Sequence, residues 1–334
     1  MTTTPIKIYV YDEISEFTWK SDYTLRGGRA IIPPNPIPLL NFRTKKFIDT
    51  PYFIQTTNPD DAEFFLLPKT LGRYIDRFST DLNIYCDEAI VLIDQLIQRL
   101  PYFEKAPERH VFFSSHDSSD LLPSPVLQAW CCVEREHKTD KILCIPYGNE
   151  PITVDTFPTL AFLSEHRKPL EWDISFVGNV TQSIRRLIIS SFENTNLKTQ
   201  FIQREAFWGF EKDKNQKKEH LRSLAFSYMV LAPRGQGLHS HRFYEAMSAG
   251  RVPVLITKDN AVLPFEDLID YKSAIIRVPE DNWKETGAYV EAWLDKNGHE
   301  KLLEMGKNAK EIFHTQLRRD HWPRHFYRWL DPFR

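Results

Sequence analysis

Short apolar runs alternate with longer periodic stretches through the first half of the chain. Ile8–Tyr11 and Ala62–Leu67 are brief apolar runs, the second bounded by Pro59 and Pro68, and both predict buried strands. Between Asp87 and Leu100 the apolar positions fall at Ala89, Ile90, Leu92, Ile93, Leu96, Ile97 and Leu100. That is a helical period, and Pro101 ends it. His110–Ser114 and Lys141–Ile145 predict further strands, with a helix expected over Val126–Glu134 between them. Alternating strands and helices of this kind build a parallel α/β sheet.

A Pro-containing connector, Pro146 to Pro169, separates this series from a second one. The second opens at Trp172–Asn179, a strand ending in Gly178 and Asn179, followed by a helix from about Ser183 that carries Arg185 and Arg186. Tyr228–Ala232 is another short apolar run. Pro233, Arg234, Gly235 and Gly237 then form a loop, and Ser240 stands where a helix N-cap belongs. Gly250 closes that helix before the strand Val252–Ile256. The pattern predicts two Rossmann-like domains facing across a cleft, with the expected boundaries 1–155 and 170–315. Residues 316–334 form a basic, aromatic tail. Over 318–334 five Arg against two Asp give 5 − 2 = +3, interleaved with Trp322, Phe326, Tyr327 and Trp329. Two readings stand for it: a membrane-surface or polyanion contact, or a C-terminal helix packing its aromatics across the domain interface.

A loop that delivers a helix N-terminus at a strand end is an anion site, because unpaired N–H groups and the helix dipole point at the ligand. Here Arg242 and Glu245 share one helix face beside that site, which suits a nucleotide or nucleotide-sugar. Whole-molecule charge adds nothing to this: Lys+Arg 43 against Asp+Glu 45 gives 43 − 45 = −2, so there is no electrostatic case for nucleic acid and anion recognition is local. Aromatics at 13% and 22 Pro against 12 Gly fit a loop-rich enzyme rather than a disordered chain. Cys86, Cys131, Cys132 and Cys144 show neither zinc-site nor disulfide spacing and read as reduced thiols. Without a bilayer-length apolar run or a signal peptide, the expected location is cytoplasmic or peripheral to a membrane. Asn179-Val180-Thr181 fits the N-glycosylation pattern, which reads as chance in that setting.

The same segments resemble the exostosin-like glycosyltransferases. The matching residues are Pro233-Arg234-Gly235, Ser240-His241-Arg242-Phe243-Tyr244-Glu245-Ala246, Gly250-Arg251-Val252-Pro253-Val254 and Leu263-Pro264-Phe265-Glu266-Asp267. Looser likenesses lie in the opening strand Lys7–Asp12, in Asn58–Pro68, and in Arg109–Phe113 followed by His116-Asp117, where Pro107-Glu108 replaces the usual glycine. The resemblance implies the GT-B architecture, with the nucleotide held by the second domain. It also implies an inverting transfer from a UDP-sugar to a glycan or lipid-linked glycan, forming a β-linkage.

The chain contains no Asp-x-Asp, so no metal or other cofactor is expected, and the diphosphate falls to the helix start at Ser240 with Arg242 and with Arg234 in the Gly235 loop. Gly178 and Asn179 end the first strand of the second domain, where a glycine either lets donor or acceptor approach the backbone or makes a tight turn, and the resemblance implies a basic residue facing the donor near there, at Arg185. Glu245 is placed to accept hydrogen bonds from a ribose diol. The expected base is His116 or Asp117, unless that pair only fixes its loop; Asp12 is a second candidate, and Lys69 could meet an anionic group. Two other functions fit the same residues: a non-catalytic partner that binds nucleotide-sugar or glycan within a polysaccharide-synthesising complex, and a nucleotide-sugar epimerase.

Overall fold

The computed structural model describes residues 4–11, 50–67, 71–114, 116–147, 153–166, 170–205 and 214–334. The chain divides into two compact units. Unit 1 comprises Met1–Cys131, His137–Gly148 and Arg319–Arg334, and unit 2 comprises Cys132–Glu136 and Asn149–Arg318. Each is an α/β unit on one parallel sheet, the pair of domains from which the GT-B class is built.

In unit 1 the strands are β1 (Ile6–Val10), β2 (Phe53–Thr56), β3 (Phe64–Leu66), β4 (His110–Ser114), β5 (Leu127–Trp130) and β6 (Ile142–Cys144), ordered β2-β1-β3-β4-β5-β6. Every pairing is parallel. Helices α1 (Leu71–Leu82) and α2 (Cys86–Ile97) pack on each other. Ala89, Ile90, Ile93 and Ile97 are the buried stripe of α2, and the Glu88 carboxylate accepts the Tyr85 N–H at its start.

The helix expected over Val126–Glu134 is instead strand β5 and the segment that follows it. Every residue from Val126 to Val133 is buried, so the run has no polar face for a surface helix. Burial on both faces is the signature of a central parallel strand, and β5 lies between β4 and β6. Immediately beyond it, Cys132–Glu136 joins unit 2, where Glu134 makes an antiparallel bridge to Ala261.

The tail holds a helix, as one of its two readings expected. Helix α8 (Trp322–Leu330), with a proline in its first turn, belongs to unit 1. It buries Trp322, Phe326, Tyr327 and Leu330; Phe326 meets Phe113 at 4.9 Å between ring centres, and Tyr327 meets Tyr52 at 5.5 Å. Arg334 pairs with Glu63 and donates to the Thr4 carbonyl. Among the described residues no helix is long and apolar enough to cross a membrane.

Unit 2 carries β7 (Trp172–Asn179), β8 (Thr199–Arg204), β9 (Ser227–Pro233), β10 (Val252–Thr257) and β11 (Ile276–Pro279) in the order β11-β10-β9-β7-β8. Its helices are α3 (Pro158–His166), α4 (Ser183–Ser190), α5 (Lys214–Phe226), α6 (His241–Ser248) and α7 (Thr286–Ile312), the last broken at Gly298 with φ +75°. Along β9, Met229 and Leu231 enter the core shared with α4 and α7, while Val230 enters the core shared with α3, α5 and α6. This two-sided alternation makes the sheet a central layer. Read from β8, the order is that of a doubly wound sheet whose winding reverses between β7 and β9, and ligands bind beyond the strand ends at such a point.

One buried pair in unit 1 has a stability consequence. The His110 Nδ1–H donates to the Ala106 carbonyl at 2.9 Å, and its Nε2 accepts the Tyr11 hydroxyl at 2.8 Å. Burial lowers the His110 pKa from 6.5 to about 4 and pushes the Tyr11 hydroxyl up. Below pH ~6.5 the unfolded chain gains a proton at this histidine that the folded chain refuses. The stabilisation is therefore complete above that pH and is lost as pH falls toward about 4, by at most about 3 kcal/mol. Urea denaturation at pH 7 and pH 4.5 should show this loss. A Tyr11→Phe, His110→Phe double exchange, which removes both polar partners together, should reduce the difference.

Candidate functional site

The ends of β7 and β9 and the start of α6 meet where the winding of unit 2 reverses. Arg242, in the first turn of α6, reaches across to β7. Its Nε donates to the Val177 carbonyl at 2.7 Å, and its guanidinium carbon lies 4.8 Å from the centre of the Phe176 ring. The group fills the space above Gly178: a Cβ built there would stand 1.7 Å from Arg242 Nη2. This glycine makes room for an arginine side chain.

Burial lowers the pKa of Arg242, with Glu245 nearby opposing the shift. Among the described residues no carboxylate lies within ion-pair distance of its guanidinium, and Nη1 and Nη2 donate to no protein acceptor. The neighbouring arginines differ. Arg234 forms an ion pair with Glu280 through Nε and Nη2. Arg185 is buried and draws the loop together, donating to the carbonyls of Asn179 at 3.0 Å, Arg234 at 3.1 Å and Pro233 at 3.5 Å. Arg186 pairs with Glu205 at the surface. Gly235 follows Arg234, and a Cβ there would come within 3.3 Å of Arg185 Nη2.

Two polar groups at this junction are buried without a hydrogen-bond partner among the described residues: Ser240 Oγ and Asn179 Nδ2. Ser240 holds the N-cap backbone geometry of α6 (φ −127°, ψ 141°), yet its side chain makes no cap bond. Unsatisfied N-terminal N–H groups and an idle cap hydroxyl are the usual means of holding an anion at a helix start.

Glu245 lies one turn further along α6 and is buried. It takes a hydrogen bond from His220 Nε2 on α5 at 3.0 Å. Burial alone would raise its pKa, but His220, with Arg242 and His241 beside it, holds the carboxyl down to about 2. It is an ionised acceptor at neutral pH. Arg251, just past the Gly250 turn (φ +69°), donates to carbonyls of Leu224 and Ala225 at the end of α5 and of Ser164 in α3. Burial brings its pKa to about 10, so it remains a cation that neutralises helix C-termini. The Leu263–Asp267 segment is a brace. Glu266 takes a two-point contact from Arg135 at 2.9 and 3.2 Å and caps the Leu263 N–H, while the buried Phe265 sits at φ +52°.

Gly178, Asn179, Arg185, Arg234, Gly235, Ser240 and Arg242 thus belong to one connected locus, with Glu245 behind it. His116 and Asp117 lie in unit 1, beyond the end of β4. His116 Nδ1 accepts the Ser118 N–H at 3.0 Å, which places the ring proton on Nε2, 3.3 Å from Asp76. Asp117 is exposed. Asp12 and Lys69 lie outside the described residues. Sequence reasoning missed Phe176, Val177, His220 and Glu280, which carry no local signature, and Thr181, visible only as part of a glycosylation pattern.

Residues 2–293 match the model of the Exostosin GT47 domain, and the chain belongs to that family of glycosyltransferases. It is 32% identical over 108 residues to an Exostosin-1 homolog of Caenorhabditis elegans, covering 32% of this chain and 27% of that protein. It is 53% identical over 55 residues to Exostosin-1 of Drosophila melanogaster, covering 16% and 7%. The matched stretches are therefore a minor part of both relatives. Among solved structures it is similar to Anabaena Alr3699/HepE in complex with UDP, at 10% identity and TM-score 0.46, covering 98% of this chain and all of that one. An alpha1,3-fucosyltransferase is similar at 12% identity and TM-score 0.42, covering 90% and 81%. Likenesses at this level assign no residue and no ligand here.

The fit of Arg242 over Gly178 can be checked by a double-mutant cycle. Gly178→Ala and Arg242→Ala, measured by urea denaturation, should be coupled by about 1 kcal/mol or more, because the added methyl collides only while the guanidinium is present. Additive costs would place the arginine elsewhere.

Proposed function

We propose that the chain transfers a sugar from a UDP-sugar to a glycan or lipid-linked glycan, inverting the anomeric centre to a β-linkage without a divalent metal. The observation that carries this reading is the Arg242 guanidinium, unpaired with any carboxylate among the described residues and set beside the N-terminus of α6. Leaving-group departure builds negative charge on the UDP diphosphate, and preorganised donors facing that charge lower the barrier. Arg242 and the first N–H groups of α6 would supply these donors, Ser240 Oγ would add a hydroxyl, and Arg185 would hold the loop in shape. The charge is met by protein groups, so the reading needs no bridging ion. Glu245, kept ionised by His220, would accept from the ribose.

An inverting displacement also needs a base for the acceptor hydroxyl. Asp117 suits this better than His116, whose Nδ1 lone pair is already taken by the Ser118 N–H and whose Nε2 carries the ring proton. Asp117 would take the hydroxyl proton as the new glycosidic bond forms, and the diphosphate would leave with the electron pair of the old one.

Calorimetric titration should show UDP binding that EDTA leaves unchanged. Arg242→Ala should weaken it by ~10-fold or more, as expected for a lost charge-assisted contact. Unchanged affinity in that variant would sink the reading. With donor and acceptor supplied, Asp117→Asn should lower kcat ~10²- to 10⁴-fold and leave UDP affinity intact. UDP binding with neither transfer nor donor hydrolysis would instead assign the chain the role of a non-catalytic partner.

A further inference from the structure

We propose that Thr181 is a positioning residue: it locks the Asn179 side-chain amide with its nitrogen turned away from Thr181, as a hydrogen-bond donor to the diphosphate of the nucleotide. The proposal rests on the nucleotide-binding reading above and assigns a specific atom within it.

An asparagine amide presents an acceptor on one side and two donors on the other, and its neighbours decide which way it faces. Here the neighbours leave one answer. The backbone N–H of Thr181 stands 2.8 Å from Asn179 Oδ1, and a backbone N–H can only donate, so the atom it meets must be the carbonyl oxygen. The Thr181 hydroxyl donates to the same oxygen at 2.5 Å. The main chain of Asn179 is tied as well, because its own carbonyl accepts from Arg185 Nη1 at 3.0 Å. Nδ2 is therefore fixed on the opposite side, and it meets no acceptor among the described residues although Asn179 is only 8% exposed.

A buried amide nitrogen held without an acceptor costs free energy, and a site of this kind is explained when a ligand supplies the acceptor. The setting indicates which acceptor. Asn179 ends β7 at the point where the winding of the sheet reverses, and the residue before it lies under the Arg242 guanidinium. Ser240 Oγ, two residues before Arg242, is a second buried polar atom with no partner among the described residues. Donors gathered beside a cation match the oxygens of a phosphate better than a uracil edge or a neutral sugar hydroxyl. The Asn-Val-Thr triplet has the form of a glycosylation acceptor, but its asparagine is buried and its threonine is occupied in holding the amide. The pattern here is a bracket.

The test compares UDP with uridine on the full chain, by calorimetry for the first and ligand-observed NMR for the second. Asn179→Asp keeps the shape and the oxygen that Thr181 holds, but turns the amide nitrogen into a carboxylate oxygen. It should weaken UDP at least tenfold and leave uridine within about twofold. Thr181→Val removes the hydroxyl donor while retaining shape and the backbone N–H. It should cost UDP about two- to fivefold, and Thr181→Ser should restore it. A general structural defect would not change the preference for UDP over uridine, nor be rescued by serine. Unchanged UDP affinity in Asn179→Asp would overturn the proposal, as would equal losses for UDP and uridine. If Arg242→Ala also leaves UDP binding untouched, the nucleotide reading itself has failed; if only Arg242→Ala weakens it, that reading stands and the role given to Asn179 and Thr181 does not.

Discussion

The guanidinium of Arg242 rests on the face of Phe176 and over the bare Cα of Gly178, held by one hydrogen bond to the Val177 carbonyl. Much of unit 2 is arranged around that placement. The arginine reaches β7 only because α6 lies close against the sheet, and all six residues from Phe243 to Ser248 are buried. A helix buried on every side must have its polar groups answered internally. Glu245 is answered by His220, and the Ser248 hydroxyl by the Glu245 carbonyl. The chain leaves α6 through Gly250 at positive φ, so that Arg251 can turn back to the carbonyl ends of α5. The charge at the front of the helix and the staple behind it are two ends of one short rigid element.

The three arginines around the locus show how one residue type is given different work by its neighbours. Arg234 is neutralised by Glu280, and Arg185 is consumed by three carbonyls of the loop. Arg242 alone among them combines a backbone anchor and an aromatic platform with outer nitrogens that meet no acceptor among the described residues. An arginine fixed in this way loses little side-chain freedom when it meets a ligand, because its rotamer is already set.

Much of this organisation was legible in the sequence. The strand–loop–helix–strand order from Tyr228 to Ile256 could be read from apolar runs punctuated by Pro233, Gly235 and Gly250, and the N-cap position of Ser240 from residue type. The contacts that give those residues their roles were not legible, since His220 and Glu280 are distant in sequence and have no pattern of their own. Val126–Glu134 misled because a run with so few polar positions, Gln128 and Glu134, has no period to distinguish a central strand from a buried helix; only its lodging between β4 and β6 decides. Gly178 was visible as a glycine at a strand end, but the side chain that requires it comes from a helix more than sixty residues later.

The return of the last residues to unit 1 couples this fold to the order in which it is made. α8 covers Phe113 and Tyr52, and Arg334 reaches the carbonyl of Thr4 across almost the whole chain. Residues 149–318, nearly all of unit 2, are synthesised before that contact can form. On the ribosome the amino-terminal sheet must wait with part of its apolar surface uncovered while the later unit condenses, and it is sealed only when the closing helix emerges.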